Sequence, residues 1–450
     1  MKRRMRFLFM LAPVAATTIL VACSNNDPTP AFDDAPDGAS EAAANLPETA
    51  APDAQNGDGG ALDARAPFDA EGELVTCTTK PCVTQLVTGD THYCALMDDK
   101  TVRCWGVTSG AIGIMDGGDP STSYQTVPRD VGLTDVEQLS AANGTTCALH
   151  TNGTVTCWGS NNGGRLGLEP PRTDYVPHGP ALVTRDGGPI DGFTRIDVGP
   201  VGLVFATTSA GELWSWGTNI GDALGRPDET NRILGPGPAN AITRVKALRA
   251  GGFASENTGG FGFAVADDRK LFVWGAYRWL VTYPGTAPLA VTGLENVTSV
   301  AASTERLCAV ADGRLYCWGP NGALSCTGTK DGSATPVEIR TRGEAPAREV
   351  SISYGATCVR LTDGTVECCG TDSFGQLATG DADGGTGAPL LTKAKALTDH
   401  VVSIQVGLFS SCALVQGGKV QCWGSNQYGQ LGQGTRDDDR HGTPLTVKFD

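Results

Sequence analysis

The chain has 450 residues, 49 acidic against 34 basic side chains and a formal net charge of −15. That surplus argues against a nucleic-acid partner, because neutralising phosphates with Lys and Arg supplies most of such affinity. Forty per cent hydrophobic residues suffice for a sizeable core, and 15 cysteines are more than packing alone requires.

The cationic start MKRRMR runs into FLFMLAPVAATTILVA and then Cys23. This is the layout of a cleaved export signal, and the stretch is short for a permanent span, which needs about 20 apolar residues. The tetrad Leu20-Val21-Ala22-Cys23 resembles the bacterial lipoprotein signal box. That resemblance implies that the Cys23 thiol receives a diacylglyceryl group and becomes the new N-terminus, with acyl tails as the membrane anchor. The plainer alternative is an ordinary signal peptide that contains a cysteine. Ser24, rather than Asp, after the cysteine resembles an outer-membrane address, so the expected location is the cell envelope, on either its periplasmic or its surface side.

Residues 23–76 are rich in Ala, Asp, Pro, Gly and Asn, with twelve acidic residues against Arg65 alone. So little apolar surface cannot offset the entropy of ordering, and like charges extend the chain. The expected organisation is therefore a signal peptide over 1–22, an acidic disordered tether over 23–76 and one domain over 77–450.

That domain is repetitive. An aromatic-glycine pair recurs as Trp105-Gly106, Trp158-Gly159, Trp216-Gly217, Trp274-Gly275, Trp318-Gly319 and Trp423-Gly424, with Cys369-Gly370 in the sixth place, at intervals of 44 to 58 residues. Before each pair, short apolar runs such as CALH and TVTCW flank a turn, with the alternation of strands and no stretch long enough for an amphipathic helix. The unit is a supersecondary block, and self-similarity at this period signals a repeat architecture.

The cysteines follow the repeat. Thr151-Asn152-Gly153 suits a three-residue hairpin turn with Gly153 left-handed, which puts Cys147 opposite Cys157. The fifth copy has one residue fewer between its cysteines, and its turn is Asp312-Gly313, the two-residue type, so Cys308 and Cys317 still face each other. A metal or redox site has no need of that compensation, whereas a cross-strand disulfide does. The expected pairs are Cys94 with Cys104, Cys147 with Cys157, Cys308 with Cys317, Cys358 with Cys368, and Cys412 with Cys422; Cys77 pairs locally with Cys82. Cys326 and Cys369 remain, and the sequence leaves open whether they pair. Copies three and four carry Phe205 with Ser215 and Phe263 with Val273 at the matching places.

Seven such units predict an all-β fold, a seven-bladed β-propeller preceded by the signal peptide and the disordered linker. The terminal PLTVKF, residues 444 to 449, is expected to complete a blade begun near residues 83 to 105.

The pattern C-A-L-x(3)-G-x-V-x-C-W-G-x-N-x-x-G-x-L-G, fullest in Cys412 to Gly434 and Cys147 to Gly167, resembles the regulator of chromosome condensation repeat, over roughly residues 80 to 449. The fit is looser in copy one (GAIGI), in copy five, where Gly322-Ala323-Leu324-Ser325 loses the second Gly, and in copy six, with Ala378 for Gly. The resemblance implies seven blades and, as the activity for which the family is best known, nucleotide exchange on a small GTPase. A plant photoreceptor of this family uses clustered tryptophans; here six of eight belong to the repeat and only Trp214 and Trp279 are extra, which favours packing.

Catalytic signatures are missing: there is no G-x-S-x-G elbow, no H-E-x-x-H and no phosphate loop, and His92, His150, His178, His400 and His441 are scattered over different copies. The turn Asp381-Ala382-Asp383-Gly384 resembles the start of a calcium loop, but its twelfth position is Thr392 rather than Glu. The expectation is thus a non-catalytic, cofactor-free envelope lipoprotein, a propeller platform that binds a protein or surface ligand through variable loops. Segments 168 to 192 and 218 to 244, poor in strand formers, are the expected contact surface. The alternatives are an exchange-type regulator of a small GTPase, which the export signal disfavours, and a propeller hydrolase, for which no convergent set of acids or histidines stands out.

Overall fold

The structure, a computed structural model, describes residues 73–449 apart from 79, 108–111, 114–123, 175, 201, 228–232, 240–246, 256–258, 278–286, 304–305, 322–325, 329–330, 381–384 and 386. The expected signal segment, Cys23, the expected tether up to residue 72, Trp279 and residues 381–384 of the expected calcium-loop-like turn lie outside the described residues.

Seven four-stranded antiparallel sheets follow one another along the chain, each with its strands in chain order. Blade one is β1 (Val83–Thr88), β2 (His92–Met97), β3 (Val102–Val107) and β4 (Tyr124–Asp130); blade two is β5 (Val136–Ala142), β6 (Thr145–His150), β7 (Val155–Gly159) and β8 (His178–Leu182). A short pair, β9 (Thr184–Arg185) and β10 (Gly188–Pro189), precedes blade three, β11 (Phe193–Gly199), β12 (Leu203–Thr208), β13 (Leu213–Thr218) and β14 (Ile233–Pro238). Blade four is β15 (Ala247–Ser255), β16 (Gly259–Ala266), β17 (Leu271–Tyr277) and β18 (Leu289–Ala290); blade five is β19 (Val297–Ala302), β20 (Leu307–Ala311), β21 (Arg314–Asn321) and β22 (Asp331–Ile339). Blade six is β23 (Ala347–Ile352), β24 (Ala356–Leu361), β25 (Val366–Gly370) and β26 (Ala388–Lys393), and blade seven is β27 (Val401–Val406), β28 (Ser410–Val415), β29 (Lys419–Ser425) and β30 (Arg440–Thr446). The fold is the all-β seven-bladed propeller that the repeat predicts.

The core lies between blades. Seven apolar clusters each combine residues of two neighbours, as in Leu166 of blade two with Ile196 and Trp216 of blade three. The repeat residues make these seams. Trp105, Trp216, Trp274 and Trp423 donate their indole N–H to a loop carbonyl of the preceding blade, on Gln430, Arg165, Ala223 and Gln376, at 2.9 to 3.0 Å. The last glycine of G-x-L-G lies beside the indole: a side chain on Gly432 would meet Val447 first and then Trp105, and its φ of +66° favours glycine. Asn161, Asn219 and Asn426 accept the backbone N–H of Leu166, Leu224 and Leu431, fixing that loop from within.

The inner strands would otherwise expose free edges to the channel. Instead, side chains of one blade satisfy the backbone of the next: Gln85 bonds both the N–H and the C=O of Leu139, and Gln138 does the same for Ile196. Ser140 accepts from Val198 N–H, and Ser351 from Val406 N–H. An edge with its donors already engaged is a poor template for a foreign strand.

Closure differs from the expectation for residues 444 to 449. They do not complete the first blade: β30 pairs with β29 alone, and both terminal blades are built from continuous chain. The last seam closes with the bonds used elsewhere. Val83 N–H donates to Gly418 C=O at 3.0 Å, as Val136 does to Lys100 and Val401 to Gly364, and Phe449 stands edge-on to Trp105. A hydrophobic pattern specifies a strand but not its partner sheet, which is why PLTVKF pointed to the wrong blade.

Candidate functional site

Meander topology sorts the connections onto two faces. Links between first and second strands and between third and fourth strands emerge on one side, here the loop face. Second-to-third hairpins and blade-to-blade connectors emerge on the other, the hairpin face. A central channel of about 680 Å³ joins them, lined by inner-strand residues that include Ser140, Asp197, Ala301, Ser351 and Gln405.

Two carboxylates of the channel wall have defined partners. Asp197 pairs with Arg195 at 3.2 Å. Glu349 binds Arg360 at 3.3 Å and also accepts from Ser403 and from Ile404 N–H of the next blade. Glu349 thus couples blades six and seven, whereas the Asp197 pair lies within blade three.

The histidines are likewise structural. His92 is buried and its Nε2 lies 2.8 Å from Thr146 Oγ1 in blade two; burial lowers its pKa to about 4, so the ring is neutral at ordinary pH. His178 and His441 lie in the outer strands of blades two and seven. Each bonds an aspartate four residues earlier, Asp174 or Asp437, which in turn accepts from Asn161 or Asn426. Burial works against these two carboxylates, yet hydrogen bonds from His178 and Asn161, and from Asn426 and His441, hold both below the usual range. The same three-residue tie thus pins the third-to-fourth-strand loop in both blades. In blade six, Asp372 stands in place of the asparagine and takes Arg440 of blade seven as its partner.

Seven cysteine pairs lie at bonding distance: Cys94 with Cys104, Cys147 with Cys157, Cys308 with Cys317, Cys358 with Cys368, Cys412 with Cys422, Cys77 with Cys82, and Cys326 with Cys369. The first five are opposed across second and third strands, with Cα atoms 4.1 Å apart. Asp312 and Gly313 both have positive φ, the tight turn expected of the shortened fifth copy. Phe205 faces Ser215 and Phe263 faces Val273, so blades three and four are held by packing. Cys326 and Cys369 join blade five to blade six. The sequence carried a signal for that pair: the sixth copy lacks Trp where the fifth loop gains a Cys.

The two expected contact segments are not loops throughout. Residues 168 to 192 include β8, β9 and β10, and residues 218 to 244 include a 3-10 turn (Ile220–Asp222) and β14. Outer strands need little hydrophobic alternation because one edge and much of one face meet solvent, and so their Pro and Gly content misled. What remains variable is the pinned loops. Around them stand partly exposed aromatics: Tyr124 stacks on Tyr428 and lies under Arg436, Phe374 meets Phe409, and Tyr354 is 59% exposed. Trp214 packs edge-on to Phe193 beneath Arg185, and the repeat tryptophans are buried.

Profiles of the Regulator of chromosome condensation (RCC1) repeat match residues 83–107, 136–165 and 401–430, and a second profile of the same repeat matches 417–450. The chain is 27% identical over 336 residues to the mitochondrial RCC1 domain-containing protein RUG3 of Arabidopsis thaliana, covering 67% of this chain and 69% of that one. It is 26% identical over 324 residues to the Ultraviolet-B receptor UVR8 of Arabidopsis thaliana, covering 69% of each. The E3 ubiquitin-protein ligase HERC2 of Homo sapiens is 27% identical over 303 residues, 64% of this chain but only 6% of that protein. Among solved structures, human WBSCR16 superposes with a TM-score of 0.62 at 20% identity, covering 78% of this chain and 95% of that one, which shows the shared fold. The chain thus carries regulator of chromosome condensation repeats in its first, second and seventh blades.

Proposed function

We propose that the protein is a non-catalytic interaction platform, held in the cell envelope through Cys23, that captures a protein partner on its loop face. One observation carries the reading: the Asn-Asp-His ties of blades two and seven pin loops of different sequence in one geometry. Loops ordered before binding lose little entropy on binding, so affinity can be tuned by loop residues without disturbing the ring. Tyr, Phe and Arg, the residue types enriched at interface centres, gather around them. Residues 73–76 reach the ring on the hairpin face, beside His400 and Gln416, so attachment through the N-terminal segment leaves the loop face open. The leader sequence and the paired cysteines suit an oxidising compartment.

Site-specific photo-crosslinking in intact cells tests this. A crosslinker at Tyr354, Tyr428 or Arg436 on the loop face is expected to trap a defined protein. One at Asn152 or Asp363, in hairpin turns, is expected to trap none, and adducts confined to the hairpin positions contradict the assignment.

A further inference from the structure

Six of the seven seams are crossed by the chain itself, as the outer strand of one blade leads to the inner strand of the next. The seam between blades seven and one has no such connector. Segment Glu73–Cys82 lies across it instead.

From β1 the chain runs backwards over blade seven. Asp98 N–H donates to Cys82 C=O, the Cys77–Cys82 pair closes a tight loop, and Lys80 is paired with Asp98, all at the blade-one end. Gln416, in the second hairpin of blade seven, accepts from Thr76 N–H at 2.8 Å and donates to Leu74 C=O at 3.1 Å and Glu73 Oε1 at 3.3 Å. Val75 packs against the apolar cluster shared by the two blades. The segment ends on blade six. Glu73 Oε2 meets His400 Nε2 at 2.9 Å and lies 3.8 Å from Nη1 of Arg360, whose side chain is wholly buried. A buried guanidinium needs a compensating carboxylate, and Arg360 has two, Glu349 from its own blade and Glu73 from the segment.

We infer that Glu73–Cys82 is a clasp that replaces the missing connector, tying blade one to blades seven and six and locking through the Glu73 carboxylate. It takes the role that strand exchange between first and last blades would otherwise play.

Hydrogen exchange on the full-length protein tests it, comparing parent, Glu73→Ala, Glu73→Gln and His400→Ala. With the clasp unlocked, peptides covering β1, β27 and β28 exchange on the order of 10-fold faster in Glu73→Ala, while those covering β11 and β12 keep their parental rates. Glu73→Gln, which retains hydrogen bonding but no charge, falls between. His400→Ala removes a half-exposed side chain outside the core, so it reports on the clasp even if an Arg360-linked change proves too disruptive to fold. Unchanged protection in Glu73→Ala and His400→Ala, or a rise spread evenly over all blades, overturns the inference.

Discussion

Cys326 of blade five occupies the left-handed position, φ +59°, that glycine holds in the loops of blades two and seven, and it is bonded to Cys369, which stands where the other blades place tryptophan. The two departures complement each other: a smaller residue in blade six opens space, a larger one in blade five fills it, and a covalent bond replaces the indole hydrogen bond. Closing a segment with a sequence separation of 43 contributes about 4 kcal/mol in the chain-entropy account. Cys369→Ser should therefore lower stability by about that much in denaturant unfolding. The double change Cys326→Gly with Cys369→Trp should recover most of the loss by restoring the arrangement of the other seams. A double variant no better than Cys369→Ser contradicts this account of the seam.

Ala378 has the same left-handed backbone, φ +53°, beneath Trp423. A Cβ in that conformation is strained, by roughly 1–2 kcal/mol for an L-residue. Ala378→Gly should accordingly stabilise the protein by about 1 kcal/mol, against the usual direction for a glycine substitution. A lower midpoint in urea would show that the strain is relieved elsewhere.

His92 sets an acid limit. In the unfolded chain it takes up a proton near pH 6.5, whereas the buried ring resists protonation until about pH 4. Its contribution is fully present above pH 6.5 and is lost as the pH falls from there to about 4, a change of about 3 kcal/mol. His92→Gln, which keeps a hydrogen-bonding group but does not titrate, should flatten stability against pH across that window. An unchanged slope would place the acid sensitivity in other groups.

How far the sequence carried follows from what its patterns encode. Recurrence of Trp-Gly and the opposed cysteines sufficed for seven blades and for five cross-strand pairs, because period-two strands and turn length fix local register. The path of ring closure did not follow, since Val83 to Gly418 and Glu73 to Arg360 join residues far apart in the chain whose pairing depends on the finished ring. The site was half visible. Loops were expected to carry it, but β8 and β14 hid within glycine- and proline-rich segments, and the ties of His178 and His441 involve residues whose four-residue spacing looks helical until the loop geometry is known.

The cross-strand pairs stabilise blades one, two, five, six and seven, each by about 2 to 3 kcal/mol for so short a loop. Mild reductant should therefore loosen those blades while leaving blades three and four, which lack cysteine pairs, at their parental exchange rates. Loss of protection first in blades three and four would mean that packing, not cross-linking, limits the reduced protein.

Peptide mapping under non-reducing conditions, on protein from cells lysed in a thiol-blocking reagent, bears most directly on a ring riveted by disulfides. Seven linked pairs, Cys326 with Cys369 among them, and no alkylation of these fourteen cysteines are the predicted result. Cysteines that alkylate fully without reductant would contradict it.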